Sequence, residues 1–288
     1  MIVGSGEFRY EFVPDWGRGP RGVESFGEAI AVAVDSQDRV YVASRRPEPR
    51  VLVFSPAGEL LSTWGQDVFT VPGGLHSIWI SDEDEVLCAD ALDHFVRRLT
   101  TEGELLQTLG TPGDPGTPGT PFNMPTKAVL SPSGDILVSD GYGQERVHRF
   151  SSSGQLLCSW GTKGSEHGEF DTPHGVWVDS DDRVWVADRA NDRIQIFDAD
   201  GRFLNQLGDL AWPNDVAVDS ERNVYVAEAY CGISIFSAEG ELLARWGEKG
   251  PAPHQFGDMP HGVAVDSHGD LYVAEVVEPD LFHKLERV

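Results

Sequence analysis

Short apolar runs recur along the whole chain, and a polar turn ends each of them. From Ile30 the run "IAVAV" stops at "DSQDR", "VYVAS" follows, then "VLVF", the turn "SPAG" and the segment "ELLSTWG". The first two runs are nearly continuous in apolar residues, as in strands covered on both faces. The turns carry Asp, Ser and Gly, which supply local hydrogen bonds or positive φ where the chain reverses. Four short strands therefore fill one unit of about 40 residues, a period typical of radially repeated sheet folds. The same order of runs restarts at His76, Thr126, His174, Asn214 and His261, giving six copies with almost no helical periodicity between them. The pattern predicts an all-β chain, a six-bladed β-propeller forming one domain over residues 1–288.

The sixth copy, "HGVAVDSHGDLYVAEVVEPDLFHKLERV", lacks its "ELLxxWG" strand. The segment Phe8 to Gly17, "FRYEFVPDWG", matches the missing piece. An N-terminal strand completing the last blade would close the ring and cover two sheet edges that would otherwise be open to other chains.

Register then turns the repeat into chemistry. The position five residues before each Asp or Ser turn residue is Ile30, His76, Thr126, His174, Asn214 and His261. It falls at the start of each innermost strand, near one mouth of the channel, and histidine occupies every second copy. Alternate blades of such a ring lie about a third of a turn apart, so three imidazoles would converge on the axis. Neutral imidazoles suit zinc, and three of them leave a fourth position open, the mark of a catalytic metal. A lone histidine here would be a packed or solvent-facing residue. Three in matched register point to a metal site made of His76, His174 and His261. The other histidines, His94, His148, His167, His254, His268 and His283, share no register and read as surface or loop residues.

A second layer lies where the "VAD"-type strand runs into a loop. Antiparallel neighbours bring these loops to the same mouth. They carry Arg45, Tyr142 in "DGYG" and Arg189 in "DRAND". A guanidinium binds a carboxylate in a bidentate fork, and a phenol beside cations can serve as a base. The bland readings are a surface arginine and a packing aromatic.

Composition narrows the picture. The net charge of −25 disfavours nucleic acid and anionic membranes as partners. No apolar run of membrane-spanning length occurs, and "MIVGSGEFRY" lacks the basic and apolar regions of a signal peptide. Cys88, Cys158 and Cys231 are odd in number and widely spaced, as for thiols in a reducing compartment, so a cytoplasmic location is expected. The stretch Gly110 to Pro125, "GTPGDPGTPGTPFNMP", reads as a loop on one face of the ring, either an inert connection or a lid over the mouth.

These residues resemble a known family. The repeats look like NHL repeats, and "MPHGVAVD", "VSDGYGQERVHRF" and "VADRANDRIQIF" resemble the peptidyl-α-hydroxyglycine α-amidating lyases, over nearly the whole chain. The resemblance implies zinc on His76, His174 and His261, Tyr142 as general base, and Arg189 as one catalytic arginine. The second arginine falls in "SRRP", on Arg45 by register with Arg46 beside it, and the family's methionine near the metal matches Met259. That family's calcium uses an aspartate directly after the third histidine. Gly262 stands there, so the resemblance does not carry calcium over.

The expected activity is zinc-dependent cleavage of the C–N bond of an α-hydroxyglycine-type carbinolamide to an amide and glyoxylate or a related oxo-acid. The expected partner is a small molecule or peptide bearing a carboxylate. The alternatives are another metal-dependent propeller enzyme, such as a hydrolase or lactonase, and a non-catalytic interaction scaffold.

Overall fold

In the computed structural model, which describes all residues except 118, 231, 251, 253, 254, 258 and 277–280, six antiparallel sheets surround one channel. The first blade comprises Ala29–Val34, Val40–Ser44, Arg50–Phe54 and Leu60–Trp64, and the second Leu75–Ile80, Val86–Asp90, Phe95–Leu99 and Leu105–Gly110. The third comprises Lys127–Leu130, Ile136–Asp140, Arg146–Phe150 and Leu156–Trp160, and the fourth Pro173–Val178, Val184–Asp188, Arg193–Phe197 and Phe203–Leu207. The fifth holds Pro213–Val218, Val224–Glu228, Gly232–Phe236 and Leu242–Trp246. The first strand of each blade lines the channel, and in blades one to five the fourth lies outermost. Among the described residues no α-helix occurs, only one 3-10 turn at Arg189–Asn191.

The sixth blade joins the two ends of the chain. Met259–Val265, Leu271–Val276 and Phe282–Arg287 pair in order, and Phe8–Val13 adds as the fourth strand through Tyr10 opposite Arg287 and Phe12 opposite Leu285. The sequence pattern did not reveal a fifth strand, Ile2–Ser5, which forms a hairpin with Phe8–Val13 around Gly6. Its alternation is too short and too exposed to stand out from a loop.

Two internal rules keep the blades alike. In the first, fourth, fifth and sixth blades the turn aspartate accepts a hydrogen bond from an aromatic side chain on the second strand. Tyr41 reaches Asp35 at 3.0 Å, Trp185 Asp179 at 2.8 Å, Tyr225 Asp219 at 2.9 Å and Tyr272 Asp266 at 3.2 Å. In the second and third blades the turn residue is Ser81 or Ser131, and the aromatic is replaced by Leu87 or Leu137. Donor and acceptor are lost together, so no buried polar group is orphaned.

The second rule concerns the end of the second strand, where Asp140, Asp188, Glu228 and Glu275 are fully buried. Each accepts a backbone N–H from the loop entering its own blade: Asn123 to Asp140, Asp171 to Asp188, Ala211 to Glu228 and Gly257 to Glu275. These carboxylates pin the loops that carry the channel's lip. The loop between blades two and three is held the same way. Phe122 is buried against Phe150, and Gln144 bonds both Gly119 and Thr120.

The apolar clusters run between neighbouring blades rather than through one central core. Tyr10, from the N-terminal strand, is fully buried and stacks on Trp246 of the fifth blade at 5.2 Å between ring centres. Tyr10→Ala is expected to cost about 3–5 kcal/mol, the usual range for truncating a large buried aromatic. The urea midpoint measures it. An unshifted midpoint would mean that ring closure by this strand does not stabilise the fold.

Candidate metal centre

His76 and His174 each sit second in the innermost strand of blades two and four, and His261 sits third in that of blade six. All three are buried, and their ring centres form a near-equilateral triangle with sides of 4.9, 5.0 and 4.8 Å. One nitrogen from each lies within 4.8 Å of the others. Glycine follows His174 and His261 for a steric reason. A Cβ on Gly175 would meet Asp215 Cα at 2.8 Å, and one on Gly262 would meet Ala31 Cα at 2.8 Å. An aspartate after the third histidine therefore has no room in this ring.

The intervening blades orient the rings. Nδ1 of His76 bonds Thr126 O at 2.7 Å, Nδ1 of His174 bonds Asn214 O at 2.6 Å, and Nδ1 of His261 bonds Ile30 O at 2.8 Å. A carbonyl only accepts, so each Nδ1 carries the proton and each Nε2 presents a lone pair. The acceptors are the three non-histidine occupants of the same register. Thr126 and Asn214 also use their side chains, bonding the carbonyls of Pro173 and Pro260 just before the next histidine.

Burial drives the histidine pKa values down. That of His76 falls from 6.5 to about 3, with Arg45 and Arg189 adding to the effect. For His174 burial comes first and then Arg189, and for His261 burial and then His76; both lie well below the ordinary value. All three are neutral near pH 7.

The phenol of Tyr142 lies against two of them, with Oη 3.0 Å from His76 Nε2 and 2.9 Å from His174 Nε2. One hydroxyl proton serves only one of these nitrogens, and His261 Nε2 has no donor among the described residues. Lone pairs thus outnumber protons at one buried point. That donor set fits a cation, and neutral imidazole nitrogens suit zinc.

Glycines seat Tyr142 in its loop. A Cβ on Gly141 would lie 1.9 Å from Pro173 O, and one on Gly143 2.3 Å from Asn123. Arg189, on the 3-10 turn of blade four, donates to Tyr142 Oη at 3.3 Å. Arg45 also faces the mouth, but Glu28 holds its fork through Nε at 2.9 Å and Nη2 at 2.5 Å. Arg46 points outward, with 59% of its side chain exposed and Nε 3.1 Å from Glu28. Met259 and Val276 give the mouth an apolar wall.

Below the histidines the next layer holds Lys127 and Asp215, a buried ion pair that spans from blade three to blade five. Lys127 also donates to Val216 O at 3.1 Å, and Asp215 accepts from Val263 N at 3.3 Å. The pair is a polar floor between the histidines and an apolar lower channel that includes Trp79 and Trp177.

Sequence reasoning missed Glu28, Lys127, Asp215, Trp212 and Tyr230. Glu28 and Trp212 had a signal available, because both stand two residues before the register position, as Met259 does. It also misjudged His148, which is a strand residue, fully buried between Ser159 and Asp140. His283 faces Val273 as His148 faces Val138 and is likewise tied to its blade's strand-end carboxylate, Glu275, so these two histidines do share a register. Cys88 and Cys158 are unpaired thiols, whereas Cys231 and His254 lie outside the described residues. No helix among the described residues is long and apolar enough to cross a membrane.

Comparison with known proteins adds descent to geometry. The NHL repeat model matches residues 170–197. Human NHL repeat-containing protein 3 is 34% identical, covering 89% of this chain and 79% of that protein. The chain belongs to the NHL repeat family. This NHL propeller is also 27% identical to peptidyl-alpha-hydroxyglycine alpha-amidating lyase 1 of Drosophila melanogaster, over 82% of its own length and 48% of the lyase. Its fold resembles a gluconolactonase structure from Xanthomonas campestris, with a TM-score of 0.68, 15% identity, and coverage of 98% of this chain and 90% of that one.

The buried histidines predict a pH dependence. In the folded NHL propeller His76 takes up a proton only near pH 3, but in the unfolded chain near 6.5. The unfolded state binds more protons in between, so stability is present above pH 6.5 and is lost as pH falls toward 3. Chelator-treated protein should show urea midpoints that decline across this window, with a shallower slope in His76→Gln. Equal slopes would refute the assignment.

Proposed function

We propose that this protein is a metal-dependent carbon–nitrogen lyase acting on α-hydroxyglycine-type carbinolamides, with zinc on His76, His174 and His261. The observation that carries this reading is the meeting of three proton-free imidazole nitrogens and a phenol oxygen at one buried point, beside a guanidinium. The distant similarity to amidating lyases supports it. Zinc held there would supply Lewis acidity toward a substrate oxygen.

The chain's own residues supply the rest. Arg189 binds the substrate carboxylate and orients the carbinol carbon. Arg45, held by Glu28, offers its remaining N–H groups at the mouth as hydrogen-bond donors, and Met259 packs against the bound substrate. Tyr142 takes the proton of the substrate hydroxyl. The C–O bond becomes a carbonyl, the C–N bond breaks, and its electron pair leaves on the nitrogen. That nitrogen gains one proton, which balances the proton lost from oxygen. The products are an amide and glyoxylate or a related oxo-acid. Lys127 and Asp215 close the site from below, so substrate enters from the arginine side. A cytoplasmic setting fits the free thiols Cys88 and Cys158.

Elemental analysis of purified protein should find about one zinc per chain, lost in His174→Ala, as expected for a site of three ligands. Glyoxylate release from an N-acyl-α-hydroxyglycine should stop with chelator and return with zinc. Bound zinc without turnover of any such substrate, or turnover of lactones instead, would overturn the reading.

Tyr142→Phe should retain zinc and lower kcat by roughly 10²–10⁴, the contribution of a positioned general base. An unchanged kcat would remove the phenol from the mechanism.

A further inference from the structure

Arg189 has an unusual environment for a cation in a chain so rich in acid. No carboxylate lies within ion-pair distance of it among the described residues, and its Nε is buried without a hydrogen-bond partner. Two aromatic faces hold it instead: Tyr142, 5.3 Å from the guanidinium carbon, and Trp212, 5.2 Å from it. Trp212 in turn packs on Tyr230 at 5.5 Å between ring centres, and Tyr230 is 65% exposed. The stack therefore runs from the histidines through Tyr142, Arg189 and Trp212 to the protein surface.

Trp212 is itself fixed. Its backbone N–H donates to Asp192 Oδ1 at 2.9 Å, its carbonyl accepts from Ala229 N at 3.0 Å, and its φ is +54°. It stands two residues before Asn214 in the register, the place that Met259 holds before His261 at the mouth of the site. The contrast with Arg45 is chemical. A guanidinium paired with a carboxylate has its charge answered, whereas one held between π faces keeps its fork available for a carboxylate ligand.

We propose that Trp212 is a positioning residue that holds Arg189 between two aromatic rings, clear of internal carboxylates, and thereby makes Arg189 the anchor for the carboxylate of the substrate. This rests on the lyase reading above for the identity of the substrate, but not for the stack itself. Tyr230 backs Trp212 from outside and limits its rotation.

The test is equilibrium binding, which needs no turnover. N-benzoylglycine carries the carboxylate but no hydroxyl and cannot react. Its uncharged primary amide is the control. Calorimetry on zinc-loaded and on chelator-treated protein should show the acid bound more tightly than the amide. Trp212→Leu should weaken the acid about tenfold, the scale of a partly desolvated cation–π contact, and leave the amide unchanged. Trp212→Phe, which keeps a π face, should restore acid binding to within about threefold. Should Trp212→Leu fail to fold, Trp212→Gln makes the same comparison. Wild-type affinity for the acid in the folded Leu or Gln variant would overturn the proposal, as would equal losses for acid and amide or no acid binding by the wild type. A Trp212-dependent acid preference in a protein that releases no glyoxylate would sink the lyase reading and leave this one standing.

Discussion

Each histidine of the centre is tied by its Nδ1–H to the backbone of the next blade, and the rest of the site depends on those three bonds. They set the tautomer, aim the lone pairs at the axis and link blade two to three, four to five and six to one. The side chains of Thr126 and Asn214 continue the chain of bonds to the carbonyls before His174 and His261. Ile30 cannot donate, so the link from blade one to blade two has no such side-chain bond. A ring of sheets is held mainly by apolar packing between blades, which has little direction. Hydrogen bonds around the rim add the direction that packing lacks.

Burial and charge act together on the same residues. Desolvation keeps the imidazoles neutral, and the nearby arginines push in the same direction. Neutral histidine is the metal-binding form, so no proton has to be displaced from these nitrogens before a metal binds. Two arginines, Arg45 and Arg189, and one carboxylate, Glu28, line the mouth above in a chain of strongly negative net charge. The two arginines differ in their availability there, because Glu28 occupies one and aromatic rings cradle the other.

Much of this was legible in the repeat. The strand order, the blade number, the completion of the last blade by Phe8–Val13 and the convergence of His76, His174 and His261 all follow from register, because a repeat of fixed period maps position in sequence to position around an axis. Tyr142 and Arg189 were legible for the same reason, as loop residues at matched strand ends. The fifth strand Ile2–Ser5 was not, since four residues of weak alternation carry no periodic signal. Nor was the buried state of His148, because its bond to Asp140 depends on the pairing of neighbouring strands; His283 repeats that contact with Glu275 in the sixth blade.

The amino-acid sequence by itself determined the fold and which residues share a layer, since strand period and repeat length are local properties. Only the tertiary structure decided what those residues do to one another. That Glu28 engages Arg45, that Trp212 rather than a carboxylate faces Arg189, and that Lys127 reaches Asp215 across the channel are contacts between blades. Side chains that are far apart in sequence meet there at distances set by ring closure. No pattern along one strand encodes such a distance, because it depends on how all the blades pack at once.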